Sequence, residues 1–435
     1  MSYLKGAMLD EPDLLFDRTD TSARNKIPFR GLMSFGPYDK SRPKISIVLL
    51  APQSHIDSMR RLVESLNNGS TRFPGGFKIF FRSRIEILGS HVISSSHIDD
   101  YLKISHQIIK IYDPRNVDLI LCYIPYTSKY ITNTPYYLLK TMFTSHGFPS
   151  QMVTSRTFAN LEWSYLNLAV AIFSKTGGTP WVLADGYADI DMMVGVSISN
   201  RITAKSRAGT RPRYVGCINV FDRYGRWMFF EGTARLYNED KKSRRSQLEE
   251  LFSNCCAKFE AEQHKTPRNI VVHYYKKFSR FEIEALEEFL DNTLDEHSLA
   301  CVSINSHHPY RVYNKTVSDW SYPRGAYVEF GKNQYLLSTT GETPIAGRRM
   351  GTPRLLHINI RHKTDGFVSN EELIEGVFGL TKLNWATSMP MVREPMTLSF
   401  SESIAYLTAV LSEEEWKGIT DAQVNPMLSG RPWFI

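Results

Sequence analysis

Basic side chains are the residues of this sequence best placed to do chemistry, because they gather in four clusters. The clusters are residues 201–213, then Lys241, Lys242, Arg244 and Arg245, then Lys276, Lys277 and Arg280, and finally Arg348, Arg349 and Arg354. All four follow residue 200, and the first holds five cations and no acid. Clustered lysine and arginine side chains bind polyanions such as nucleic acid. One cluster alone is more often a solvated loop, but four in one half of the chain indicate a polyanion-binding protein.

Composition places the chain among globular proteins. It has 435 residues, a net charge of +7 and 42% hydrophobic residues, which exclude a disordered chain, a coiled coil and a collagen-like fibre. The sequence predicts no membrane span, since no apolar stretch reaches about 18 residues. Acids interrupt the N-terminus where a signal peptide needs an apolar core, so we expect a cytoplasmic protein. Its five cysteines include no CxxC pair, which argues against a disulfide framework or a zinc ribbon.

Common catalytic motifs are missing from the sequence. No HExxH, GxSxG or P-loop pattern occurs. Asp185, Asp189 and Asp191 precede a predicted strand, where a solvated turn is the simpler interpretation. His307 and His308 are adjacent and point in different directions, so we interpret them as part of a loop.

The first half of the chain alternates buried strands with helices. Apolar runs at Ile45–Ala51 and Leu119–Ile124 are typical of strands buried on both faces. Helical spacing follows at Ser58–Leu66 and in segments near Tyr136–Phe143 and Leu161–Phe173. This order predicts a parallel, Rossmann-like α/β domain. Residues 1–42 are polar and rich in turn signals, so we expect an irregular lead-in.

The second half has a different order of elements. A Gly- and Pro-containing break lies at Thr176–Pro180. Three predicted strands, Met192–Ile198, Tyr214–Phe221 and Trp227–Phe230, come next in series. Helices and strands then alternate at Gln247–Phe259, Asn269–His273, Phe281–Leu290 and Leu299–Ile304. This is the order of an RNase H-like domain.

Several short segments then point to a family. They are Gly31-Leu32 with Phe35–Tyr38, a K-x-G-G-x-P-W segment at Lys175–Trp181, Tyr335–Gly341 with Gly351–Pro353, Leu380–Trp385, and the apolar ending Pro432–Ile435. Their order and spacing resemble those of the short prokaryotic Argonautes. The resemblance implies a lead-in at 1–42, a MID domain at 43–175 and a PIWI domain at 176–435. It also implies that the C-terminus folds back into the MID pocket.

The resemblance implies a pocket for the 5′-phosphate of a guide strand. Tyr136 and Lys140 are four residues apart and share one helix face, Gln151 follows a turn, and Lys175 ends the next helix. These positions match the tyrosine, lysine, glutamine and lysine that bind phosphate in the family. Tyr136 is then expected to stack on the first base, with Tyr137 as an alternative, while Lys140 and Lys175 neutralise the phosphate.

The family also holds a divalent ion beside this phosphate. By resemblance, Gln151 and the carboxylate of Ile435 hold magnesium between the first and third phosphates. The cations expected along the backbone of a guide–target duplex are Arg201, Lys205, Arg207, Lys276 and Arg348.

Active PIWI domains cleave with four carboxylate or related ligands around two magnesium ions, and this sequence departs from that pattern. Ser197, in Gly195-Val196-Ser197, stands at the first aspartate position, and Tyr274 or Tyr275 stands at the third, with Tyr275 preferred. Glu402 matches the fourth position, and Glu231 is a candidate remnant of the mobile glutamate. We therefore expect a PIWI domain that binds nucleic acid without cutting it.

Together these features predict a guide-dependent sensor. The resemblance implies a small guide, with RNA as the leading prediction and DNA as the alternative, a complementary DNA target, and prokaryotic immunity as the setting. It further implies a partner with an APAZ domain that carries a TIR, sirtuin-like, nuclease or membrane-type effector, with no membrane contact by this chain. Two alternatives stay open: a self-sufficient guided DNA-binding dimer, and a guided nuclease with an irregular metal site on Glu231 and Glu402.

Overall fold

The computed structural model of the chain describes residues 4–125, 134–187, 189–201, 213–233, 241–343, 352–387, 392–408, 411–420 and 426–435. The chain divides into two compact units. The four-stranded unit comprises Leu15–Trp181, Trp385–Ser388 and Tyr406–Ile435. The nine-stranded unit comprises Met1–Leu14, Val182–Asn384 and Met389–Ala405.

The helices and strands follow one another along the chain in two series. Before residue 181 they are β1 Lys5–Met8, β2 Leu14–Leu15, β3 Arg24–Asn25, α1 Pro28–Phe35, β4 Lys44–Pro52, α2 Ile56–Asn68, β5 Gly69–Ser70, β6 Phe73–Pro74, α3 Gly76–Phe80, β7 Arg84–Ile93, α4 Ile98–Ile111, β8 Leu119–Ile124, α5 Pro135–Ser145, β9 Ser150–Thr154, α6 Ser155–Ala159 and α7 Leu161–Lys175. After it they are β10 Val182–Leu183, β11 Met192–Arg201, β12 Arg213–Phe221, β13 Trp227–Gly232, α8 Lys241–Gln263, β14 Asn269–Tyr274, α9 Arg280–Thr293, β15 Ser298–Asn305, β16 Ala326–Gly331, β17 Gln334–Leu337, β18 Leu356–Lys363, α10 Asn370–Leu380, α11 Met396–Thr408, α12 Glu413–Thr420 and α13 Pro426–Ser429.

The four-stranded unit is built on a parallel sheet with the order β7-β4-β8-β9. The central strands β4 and β8 are almost wholly buried, which explains their continuous apolar sequences. Val48 and Leu50 of β4 pack in one core with Tyr101 of α4 and with Leu139 and Phe143 of α5. The Rossmann-like fold predicted from the sequence is therefore confirmed.

The nine-stranded unit has the sheet order β1-β16-β17-β18-β15-β14-β11-β12-β13. Strands β11, β12 and β13 form an antiparallel series, and β14 and β15 then add in parallel beside β11. Helices α8 and α9 cover one face, where Val194 and Val196 of β11 pack with Leu251 and Leu286. This arrangement confirms the predicted RNase H-like fold.

The lead-in differs from the sequence prediction, because it contains regular structure. Strand β1 pairs antiparallel with β16 at the edge of the nine-stranded sheet, and α1 lies in the four-stranded unit. All four residues of β1 are exposed, so no buried stripe marked it in the sequence. The unit bounds also differ from the predicted domains, since residues 406–435 belong to the four-stranded unit.

A buried ion cluster fastens the lead-in to the nine-stranded unit. The Glu11 carboxylate contacts Arg324 Nε at 3.0 Å and Lys382 Nζ at 2.8 Å. Arg324 also donates to Thr381 Oγ1 at 2.9 Å, and its guanidinium lies 4.4 Å from the Phe378 ring centroid. Because Arg324 and Lys382 are buried, the Glu11 carboxylate offsets part of the cost of removing their charges from water. Among the described residues, no helix is long and apolar enough to span a membrane.

Candidate nucleic-acid interface

Helix α5 places Tyr136 and Lys140 one turn apart. The helix begins at Pro135, whose fixed φ angle suits the first helical position. The Lys140 ammonium lies 5.8 Å from the Tyr136 ring centroid. Tyr136 is half-buried, and burial raises its pKa to about 12, whereas the neighbouring Tyr137 is buried. Of the two candidate stacking rings, Tyr136 is the more accessible.

The last residues of the chain meet Lys140. Lys140 Nζ donates to the Phe434 carbonyl oxygen at 3.2 Å and to an Ile435 carboxyl oxygen at 3.4 Å. Trp433 and Phe434 are buried in the four-stranded unit, which fixes the position of these oxygens. The chain end therefore lies in the predicted pocket, as the resemblance implied.

Lys175 reaches the same pocket from the end of α7. Its Nζ donates to the Ser150 carbonyl at 3.1 Å and to Gln151 Oε1 at 2.6 Å. Gln151 Nε2 in turn donates to the Met152 carbonyl at 2.9 Å, which orients the amide. Past Lys175 the chain turns sharply at Gly177, whose φ is +94° and favours glycine. The four residues predicted from the sequence are thus brought together.

The two lysines form the strongest electrostatic feature of the pocket. Both are 2% exposed, and within the described part of the chain neither pairs with an aspartate or glutamate side chain. Burial lowers the pKa of Lys140 to about 8. Burial together with the positive charge of Lys140 holds the pKa of Lys175 well below its usual range. Of the described carboxylates, only the chain end beside Lys140 contacts this pair, so the pocket has the charge and the donors to accept a phosphate dianion.

In the nine-stranded unit, three of the four predicted tetrad positions line one cavity of about 380 Å³. Ser197 is buried in its wall, while Tyr275 and Glu402 are exposed. Lys276 also lines the cavity, and its Nζ lies 5.3 Å from the Tyr275 ring centroid. Besides the Ser197 hydroxyl, the Tyr275 phenol and the Lys276 ammonium group, the cavity is lined by the His307 imidazole and by two carboxylates, those of Glu394 and Glu402.

Glu231 does not line this cavity, and its assignment as a remnant of the mobile glutamate stays a prediction. Strand register sets Ile218 opposite Glu231, and Ile218 packs in the core under α8 and α9. Glu231 therefore lies on the helix-covered face, where it forms an ion pair with Lys258 of α8. Burial raises the pKa of Glu231, and Lys258 opposes that effect. Ser197 is directly opposite Cys217, next to Ile218 in β12, and so lies on the other face.

A buried polar network without formal charge adjoins the cavity at Ser401. His273 Nδ1 and Thr397 Oγ1 are 2.9 Å apart, and burial lowers the pKa of His273 to about 3. Ser401 Oγ donates to the carbonyls of Thr397 and Gly195 at 2.9 and 3.2 Å. A Cβ at Gly195 would lie 2.1 Å from the Thr397 carbonyl oxygen, so only glycine allows α11 to approach β11 this closely.

The remaining acids predicted as turn residues lie elsewhere. Asp185 and Asp189 line a separate cavity, whereas Asp191 pairs with Lys265 and accepts from the backbone amides of Arg268 and Asn269. Asp191 is thus a structural anchor for the start of β14. Among the described residues, no three His, Cys, Asp or Glu side chains form a group able to hold a metal ion.

The structure describes only part of the predicted duplex contacts. Lys205, Arg207 and Arg348 lie outside the described residues, and for Arg201 only the backbone in β11 is described. Lys276 is exposed beside the cavity.

A further basic group joins Arg354, from the fourth basic cluster, to Arg311 and Arg393, which the sequence analysis did not single out. Arg393 donates to the Ser306 carbonyl, and its pKa is lowered by burial and by its neighbours Arg354 and Arg311. His308 lies in the same group and donates from Nε2 to the Leu355 carbonyl at 2.8 Å. The adjacent histidines were the available signal, which we had interpreted as an ordinary loop.

Comparison with known proteins agrees with this architecture. The Piwi domain family matches residues 119–411, more than half of the chain. An Argonaute from Cereibacter sphaeroides is 21% identical over 97% of this chain and 58% of its own length. A Piwi protein from Archaeoglobus fulgidus is 21% identical over 93% of each chain. The structure of Clostridium butyricum Argonaute, bound to a guide DNA and a 19-mer target DNA, has a TM-score of 0.76 at 19% identity and covers 94% of this chain and 53% of that one.

The fold defines a protein of the Argonaute and Piwi class. By the extent of the Piwi domain match, the chain belongs to the Piwi domain family, which confirms the resemblance found from its motifs. The chain spans a little over half the length of the Argonautes from C. sphaeroides and C. butyricum.

The low pKa of Lys140 predicts that phosphate binding takes up protons. At pH 9 most Lys140 side chains are neutral in the free protein, since the pKa is about 8. A bound phosphate raises that pKa, so we expect uptake of about one proton or more per strand, and an affinity that falls as pH rises from about 8 to 10. Calorimetry at pH 9 in buffers of different ionisation enthalpy measures this uptake. Lys110→Ala removes an exposed lysine on α4 and should leave the proton uptake unchanged. A binding enthalpy that does not depend on the buffer would contradict the assignment of Lys140 to the phosphate pocket.

Proposed function

We propose that this protein is a guide-dependent nucleic-acid-binding sensor that holds the 5′-phosphate of a short strand between Lys140 and Lys175. The observation that carries the proposal is the pair of buried lysines without carboxylate side-chain partners. Buried lysine is rare unless paired, because desolvation of an ammonium group costs several kcal/mol. A phosphate with a charge near −2 compensates two such groups at once.

Each side chain of the pocket has a distinct role in this proposal. Lys140 and Lys175 neutralise the phosphate, and Gln151 positions Lys175 through its 2.6 Å hydrogen bond. The half-buried ring of Tyr136 stacks on the first base. The bound strand, for which the family resemblance favours RNA, then pairs with a complementary DNA target. Base pairing between the two strands therefore supplies the sequence specificity.

Magnesium at this site is a separate proposal. Carboxylate and amide oxygens are ligands that magnesium prefers, and Gln151 and Ile435 offer one of each. Both oxygens, however, already accept hydrogen bonds from lysine ammonium groups. We therefore propose that magnesium binds together with the strand, whose first and third phosphates complete the ligand set that Gln151 and Ile435 begin.

We expect the protein to discriminate strongly between 5′ ends. A 5′-phosphorylated strand should bind at least about 100-fold more tightly than the same strand with a 5′-hydroxyl, because charge-assisted hydrogen bonds contribute about 1.5–3 kcal/mol each. Lys140→Ala/Lys175→Ala should abolish this preference and leave a weak affinity for both strands. Fluorescence anisotropy with end-labelled strands measures the ratio. Lys110→Ala is the matched control and should keep the preference. Equal affinities of the unmodified protein for the 5′-phosphate and 5′-hydroxyl strands would contradict the proposal.

We also propose that the chain binds its target without cutting it. Ser197 and Tyr275 cannot replace bridging carboxylates, which supports this part of the proposal. The alternative nuclease needs Glu231 and Glu402 in one site, but they lie on opposite faces of the nine-stranded sheet.

A cleavage assay tests this directly. With magnesium or manganese, a guide and a labelled complementary target, the target strand should stay intact over hours. Glu402→Ala should change neither target integrity nor target affinity. Target cleavage that Glu402→Ala abolishes would show an irregular active site.

The effector is expected in another polypeptide. The family resemblance supports an APAZ-containing partner whose TIR, sirtuin-like, nuclease or membrane-type domain responds to target pairing in prokaryotic immunity. Reconstitution with a candidate partner decides this point, since unchanged partner activity on addition of guide and target would contradict the sensor role.

A further inference from the structure

A long loop between β15 and β16 of the nine-stranded unit carries exposed aromatic rings. Residues 306–325, all of which the structure describes, form no helix or strand. Loops of this length are uncommon in a compact unit and usually serve a function. Tyr313 is 53% exposed and Trp320 is 49% exposed, and their ring centroids lie 6.0 Å apart at an interplanar angle of 85°. These two rings, the aromatic pair, therefore meet edge to face at the surface of the unit.

The backbone of Trp320 is strained. Its φ angle is +58°, in the left-handed region that favours glycine. Its amide donates to the Val317 carbonyl at 3.2 Å, which closes the turn that carries the ring. A bulky side chain in this conformation costs free energy, and a half-exposed ring recovers little of that cost by burial. Strain that packing does not repay is typical of functional positions.

Polar contacts fix the loop on both sides of the aromatic pair. Asn314 Oδ1 accepts hydrogen bonds from the Thr316 amide at 3.0 Å and from the Thr316 hydroxyl at 2.6 Å. The Ser321 amide donates to Asp319 Oδ1 at 3.2 Å, and the Ser321 hydroxyl donates to Glu342 Oε2 at 3.1 Å. Both rings are therefore positioned in the free protein, which lowers the entropic cost of binding a ligand.

The surroundings of the aromatic pair indicate the class of ligand. Residues 314–319, between the two rings, are polar apart from Val317, whereas the aromatic anchors of protein interfaces lie in patches that exclude water. Lys315 is exposed in this segment and forms no ion pair with a described carboxylate. The loop leaves the sheet at Ser306 and His307, which line the cavity of the tetrad positions. Flat aromatic faces beside an ammonium group match the base and the phosphate of a nucleotide.

We infer that Tyr313 and Trp320 form a stacking platform for unpaired bases of single-stranded nucleic acid, with Lys315 on the phosphates of the same strand. This inference rests on the proposed function, which supplies the strand. Stacking needs an accessible base face, so the platform binds nucleotides outside the guide–target duplex and not those within it. Every base has such a face, and the platform therefore has little preference for sequence.

Replacing Trp320 by glycine tests the platform, because glycine removes the ring and fits the backbone. Trp320→Gly should weaken binding of a 5′-hydroxyl single strand of about 20 nucleotides by about tenfold, the effect expected for loss of a base–aromatic stack. The melting temperature should stay the same or rise, since glycine relieves the strain at φ +58°. Trp320→Phe should keep most of the affinity. Fluorescence anisotropy and thermal denaturation measure the two effects.

Matched ligands and a matched variant serve as controls. A strand of the same length without bases, and a blunt duplex of the same length, should bind equally to Trp320→Gly and to the unmodified protein. Tyr224→Ala removes another exposed tyrosine of the nine-stranded unit and should leave all three affinities unchanged.

Three outcomes decide the inference and separate it from the proposed function. Unchanged single-strand affinity in Trp320→Gly would overturn the platform and point to a protein surface as the occupant of the aromatic pair. Equal weakening of all three ligands, with a lower melting temperature, would also overturn it and give the ring a structural role. The preference for a 5′-phosphate should survive in Trp320→Gly. If the unmodified protein lacks that preference and still favours strands with bases, the proposed function fails and the platform is supported.

Discussion

The placement of two lysine ammonium groups side by side in a buried pocket is the constraint on which the rest of the four-stranded unit depends. Their mutual repulsion and desolvation oppose folding, so the fold must supply oxygens to them. It does so through the carbonyls of Ser150 and Phe434, the Gln151 amide and the Ile435 carboxyl group. These oxygens are partial or shared charges, which leaves the pocket short of negative charge until an anion enters.

Two helices and one turn position the two lysines of the pocket. Helix α5 presents Tyr136 and Lys140 on one face, α7 ends with Lys175, and Gly177 turns the chain away immediately afterwards. Burial of Trp433 and Phe434 brings the chain end to Lys140. In the nine-stranded unit, an uncharged network of His273, Thr397 and Ser401 adjoins the cavity that Glu394 and Glu402 line.

Much of this architecture follows from sequence pattern. The continuous apolar runs of β4 and β8 and the helical spacing of α2 predicted their elements correctly, since burial on both faces leaves few polar positions. Strand β7 was missed because its exposed and buried residues alternate irregularly. The side of the sheet on which Glu231 lies depends on its pairing register with β12, which no local pattern encodes.

The most direct test of the account is the chemistry of the nucleic acid that copurifies with the protein. Strands extracted from the protein expressed in cells should form a narrow population of short 5′-phosphorylated molecules, identified by end labelling and sequencing. The same preparation from Lys140→Ala/Lys175→Ala should lack them. Absence of bound strands, or a broad mixture that those substitutions leave unchanged, would contradict the claim that the buried lysines hold a strand's 5′-phosphate.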